Sequence, residues 1–154
     1  MLVKQIIIGL VYSGLFYFFT HSWQQLLWFA CGVLLGLGLM VLDQELLHQY
    51  YNEKEALNSE QRQLITRSVL FNLLFVPLSL FVVTSSGSAI GSGLVMGIWV
   101  VLLTEVFEYR RPISLFEHRF LAGTKIELDQ RQVNQIVVIS AAAFVLLNLL
   151  LIFN

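Results

Sequence analysis

From Thr84 to Pro112 the chain reads TSSGSAIGSGLVMGIWVVLLTEVFEYRRP, and no charge interrupts it between Ala89 and Leu103. It opens on an uncharged Ser/Gly turn and closes on Glu105, Glu108, Arg110 and Arg111. A run this long and this apolar satisfies its own backbone polar groups in lipid only as a helix. The uncharged turn can rest among lipid headgroups, whereas the ionised end must reach water. Gly87 and Gly91, then Gly93 and Gly97, are spaced four apart, and Gly32 and Gly36 repeat the spacing in an earlier run that also holds Gly38. Glycines at that interval allow a second backbone to approach closely, so these positions are expected to mark helix-packing seams.

Composition sets the class. Hydrophobic residues make up 57% of the 154 and charged residues 12%, with mean hydropathy +0.76. A soluble domain carries roughly 25% charged residues, so the chain is expected to be an all-α integral membrane protein. A net charge of -1 offers nothing to a nucleic-acid backbone. Cys31 is the only cysteine, which excludes an internal disulfide. Lys4 followed by an apolar run resembles a secretory signal, but no A-x-A-like cleavage site follows, so the segment is read as a retained first helix.

Five apolar runs, at about 5–20, 23–42, 64–84, 89–105 and 133–153, approach the ~20 residues needed to cross a ~30 Å hydrocarbon core. With five spans the N-terminus and the segments at about 43–63 and 106–132 fall on one side. Every Lys, Arg, Asp and Glu then lies on that side or at its boundary. The positive-inside rule makes that face cytoplasmic, giving N-in and C-out. The expectation is one membrane domain over residues 1–154, in a bacterial inner membrane, with the C-terminus outside.

EQRQLITRSVLF (Glu60–Phe71) and DQRQVNQIVVIS (Asp129–Ser140) both set an acid and Gln-Arg-Gln before an apolar run. This suggests a 1+2+2 arrangement with two parallel two-helix repeats related by a pseudo-two-fold along the membrane normal. In the second charged segment Ser114-Leu115-Phe116-Glu117 fits a capping box and Gly123 offers a stop. A short cytoplasmic interfacial helix is expected there, with Phe116 and Phe120 toward the bilayer and Arg119 toward water.

Asp43, Thr104 and Glu108 fall within about 20° of the glycine seams at 100° per residue, and Glu105 about 80° off. With Arg62 and Arg131 at matching depth, and His48 near the boundary, they form the candidate functional cluster. Glu105 stands out because it lies only ~24 Å along a helix crossing ~30 Å. Arg62 or Arg131 is the expected counter-charge. No H-E-x-x-H, phosphate loop or nucleophile elbow is present, so no metal, cofactor or catalytic set is assigned. The leading functional expectation is non-enzymatic: a scaffold or complex subunit presenting its charged face to a membrane or cytoplasmic protein, or a homo-oligomer. Two further readings stay open: a small oligomeric transporter or channel using Glu105, and an interfacial enzyme acting on lipid headgroups.

Overall fold

The computed structural model describes residues 2–20, 22–44, 65–85, 87–121 and 128–153, and among them every regular element is helical. In chain order these are α1 (Leu2–Thr20), α2 (Trp23–Leu42), a 3₁₀ turn (Ile65–Arg67), α3 (Val69–Ser85), α4 (Ala89–Tyr109), α5 (Ile113–Phe120) and α6 (Gln130–Phe153). The segment that follows α2, which carries His48 and Arg62, lies outside the described residues. Among the described residues three helices are long and apolar enough to cross a membrane: α2 with 20 residues, α4 with 21 and α6 with 24. The other two predicted spans appear as shorter apolar stretches, Lys4–Phe16 in α1 and Phe71–Ser85 in α3. The third run starts its helix at Val69 and not near Leu64, because Ile65–Arg67 tightens into the 3₁₀ turn. Its 17 residues reach about 26 Å, a little short of the hydrocarbon thickness.

The bundle is organised around α4, whose middle is buried on almost every side from Val95 through Leu102. Its closest neighbour is α2. A Cβ added at Gly32 or Gly36 would collide with the backbone at Ile90, Leu94 and Ile98. One added at Gly93 or Gly97 would collide with the backbone of Phe29 or Val33. Residue numbers rise together along both helices in these contacts, so α2 and α4 run parallel. The contacts are also reciprocal. Exchanging the two helices maps Gly32 onto Gly93 and Gly36 onto Gly97, carrying the Phe29–Gly93 contact onto Ile90–Gly32. The symmetry stops at this pair: α6 packs chiefly on α3 and α4, while α1 covers α2. Gly87 takes no part, being an exposed turn residue at φ +54 with open space around it. Gly91 sits in the first turn of α4 and gives its N–H to the Ser88 cap, and Gly38 faces open space.

The remaining helices alternate in direction. Phe75 and Ser79 of α3 meet Trp99 of α4, and Asn72 lies across from Val106, so α3 is antiparallel to α4. Ser79 donates to the Phe75 carbonyl and accepts from Trp99 Nε1 at 3.0 Å. It therefore does not cover the Leu73 carbonyl that Pro77 leaves without an N–H. Tyr12 of α1 donates to Asn148 Oδ1 of α6 at 2.6 Å, and its ring packs on Phe29 and Phe144. Removing that hydroxyl strands a half-buried amide. Tyr12→Phe is therefore expected to cost about 1 kcal/mol in thermal unfolding in detergent; an unchanged midpoint would leave the bond without weight.

One cap differs from expectation. Helix α5 begins after Pro112 with no side-chain cap, so Ser114 lies inside the first turn and the capping box does not form. Glu117 instead accepts from the Leu128 N–H at 2.7 Å, tying α5 to the entry of α6. At that entry Asp129 Oδ1 accepts from Gln130 N at 2.7 Å, and Gln132 Oε1 accepts from Asp129 N at 2.8 Å.

Candidate functional site

At the charged end of the bundle four ionisable side chains from different segments are withdrawn from solvent. Glu105 is 0% exposed, Arg67 and Arg119 1%, and Asp43 2%. Arg67 holds the centre. Its Nε and Nη2 form a two-pronged contact with the Glu105 carboxylate, at 3.0 Å to Oε2 and 2.6 Å to Oε1. Its Nη1 donates to the Met40 carbonyl at 3.2 Å and to Thr66 Oγ1 at 2.6 Å, and lies 3.4 Å from Asp43 Oδ2. Arg119 reaches the same Glu105 Oε2 through Nε at 3.0 Å and lays its guanidinium over the Tyr109 ring, 4.6 Å from the centroid. Two cations and two anions make the set neutral, which is how charges persist away from water.

Local structure explains how each group arrives. α2 ends in a wider π-type turn at Asp43 and Gln44, which leaves the Asp43 carboxylate facing the 3₁₀ turn. There the Thr66 backbone N–H donates to Asp43 Oδ2 at 3.1 Å, and the Thr66 hydroxyl donates to the same oxygen. Asn72 reaches back from the first turn of α3 to the carbonyls of Arg67 and Ser68, at 3.2 and 3.0 Å. Ser68 Oγ accepts from Phe71 N, starting α3 just after the arginine. On α5, Phe116 and Phe120 pack with Val106, Val133 and Val137. Arg119 lies between them on the helix, so this inward face carries it to Glu105 and not to water.

The structure brings together only part of the expected cluster. Asp43 and Glu105 enter the network. Thr104 is half-buried and spends its hydroxyl on the carbonyls of Val100 and Val101 one turn back. Glu108 and Arg131 are exposed, so Arg131 is not the counter-charge of Glu105; Arg62, like His48, lies outside the described residues. Glu105 is buried although it lies off the glycine seam, because α4 is enclosed by α3, α5 and α6 as well as by α2. Turning about 80° away from the glycine seam therefore still points a side chain at protein. Glu108 lies almost one turn nearer the helix end and is exposed. Arg67 and Arg119 were absent from the sequence-derived set, although Arg67 sat inside a predicted span, where a charge is itself a signal.

Chemically the arrangement is closed. Both Glu105 oxygens accept from guanidinium donors, and Asp43 Oδ2 accepts from Thr66 and Arg67. Among the described residues no three His, Cys, Asp or Glu side chains are placed to hold a metal ion. Arg119 Nη2 is the one buried side-chain nitrogen or oxygen among the described residues with no partner. Comparison with protein-family models, with curated proteins and with solved structures finds no match.

Proposed function

We propose that this chain is a five-span, N-in/C-out membrane subunit that acts as a rigid platform and presents its cytoplasmic segments to a protein partner. The observation that carries the reading is where the buried ions sit along the chain. Asp43 closes α2 and Arg67 opens the way to α3, so their contact, with the Thr66 bonds, clamps both ends of the segment between them. Arg119 ties the second segment to the same carboxylate from the other side. Charge buried in this way contributes little net stability, yet removing one partner is costly, so it favours a unique arrangement over a movable one. An ion path through Glu105 finds less support, because its carboxylate would first have to shed two arginines. Headgroup chemistry through Asp43 and Glu108 finds less support too, since Asp43 is buried and occupied by Thr66 and Arg67 while Glu108 is exposed.

Topology is tested first. In a Cys31→Ser background, cysteines at Ser85 and at Arg111 are expected to label from opposite sides of the membrane. Labelling of both from the outside would end the N-in/C-out arrangement. The platform role is tested by replacing residues 46–62 with a Gly/Ser linker of equal length. The expected outcome is an unchanged melting midpoint together with loss of a co-purifying protein that wild type retains in mild detergent. Wild type that purifies alone and sustains solute flux in proteoliposomes would replace the platform with a transporter.

A further inference from the structure

A groove of about 390 Å³ runs between α1, α4 and α6 at the charged end, and none of the buried network residues lines it. Lys4 and Glu108 stand at its mouth, with Thr104 beside them and Ala141, Phe144 and Val145 along its floor. Its volume falls in the range of sites that hold a small molecule. We infer that this groove binds one bilayer phospholipid with an amine headgroup, the phosphate at Lys4 and the ammonium at Glu108. The inference rests on the bilayer setting and not on the platform role.

Two observations converge. Lys4 and Glu108 carry opposite charge, are exposed, and form no ion pair with any described residue. They line the same groove, so one cation and one anion stand together as a match for a headgroup that carries both a phosphate and an amine. Below this mouth the lining turns apolar. α6 starts beside Arg110, where Gln130 Nε2 donates to the Arg110 carbonyl, and runs inward. Ala141 through Val145 therefore continue into the bundle's apolar body as a track for an acyl chain, with Ala141 leaving its width open. A lipid that is anionic without an amine would meet Lys4 equally well, but would leave Glu108 as an uncompensated like charge.

The test uses the full chain in vesicles of equal phosphatidylethanolamine and phosphatidylglycerol, followed by mild extraction and quantification of retained lipid. Wild type is expected to retain the amine lipid over the glycerol lipid roughly two- to fivefold, the scale of one exposed ion pair. Glu108→Gln should bring that ratio to about one, and Lys4→Gln should lower retention of both lipids. Ala141→Phe should also lower both by filling the track. Both charged side chains are exposed, so Lys4→Gln and Glu108→Gln are expected to melt as wild type does, which separates lost binding from lost folding. Equal retention of the two lipids by wild type, or an unchanged ratio in Glu108→Gln, would overturn the site. A chain that fails to insert into vesicles would instead overturn the bilayer reading beneath it.

Discussion

Glu105→Gln is expected to destabilise the folded bundle by about 3–5 kcal/mol, the range for breaking a buried ion pair by removing one partner. The amide keeps the volume and one acceptor oxygen, but it turns an NH2 donor toward guanidinium donors. Arg67 and Arg119, each 1% exposed, are then left with Asp43 as the only anion in the network. Thermal unfolding in detergent, followed by helical circular dichroism, measures the effect. The partners should rank in order of their bonds. Arg67→Met, which removes contacts to Glu105, Asp43, Thr66 and the Met40 carbonyl, should cost more than Arg119→Met, which removes a single bond to Glu105. The double variant Glu105→Gln with Arg119→Met should cost less than the sum of its parts, because it removes a stranded cation together with the missing anion. If Glu105→Gln melts with wild type, the network contributes no specificity and the platform loses its support.

What the sequence made legible follows from which forces are local. Apolar length and the placement of charge depend on the bilayer and not on neighbours, so the all-helical, membrane-directed character could be read directly. The depth of Glu105 singled it out by the same reasoning. Its partners were harder to read. Arg67 is held by a 3₁₀ turn that exists because Thr66 bonds to Asp43, 23 positions earlier, and no local propensity encodes that reversal. One signal was nonetheless present: an arginine within a predicted apolar run requires a partner at its own depth. Arg119 was misjudged because the face of Phe116 and Phe120 was assigned to lipid. In the structure that face packs on Val106, Val133 and Val137, so the arginine beside it turns inward too. The charge pattern suggested a repeat, and the reciprocal contacts join only α2 and α4. The first helix, an addition in the sequence reading, covers α2, while α6 packs elsewhere.

Two pairs of helical glycines have variants that should shift stability in opposite directions. At Gly36 a methyl group would meet the Leu94 carbonyl, the Ile98 nitrogen at 3.0 Å and the Gly97 Cα at 3.2 Å. At Gly97 it would meet the Val33 carbonyl and, at 3.0 Å, the Val33 Cα. These obstacles are backbone and cannot rotate away, so the two helices must separate along their whole seam. Gly36→Ala or Gly97→Ala should therefore cost at least the ~1–3 kcal/mol typical of overpacking, and Gly36→Leu more. Gly14 and Gly38 have nothing within 4 Å of an added Cβ. Gly14→Ala and Gly38→Ala should instead gain up to about 1 kcal/mol, the helix-propensity difference between the two residues. Composition, charge and mean hydropathy scarcely differ among the four alanine variants, so no bulk property can produce the split. Thermal unfolding of all four under one detergent condition measures it. Equal shifts at Gly36 and Gly38 would mean that α2 and α4 are not in backbone contact, and the centre of the bundle would have to be redrawn.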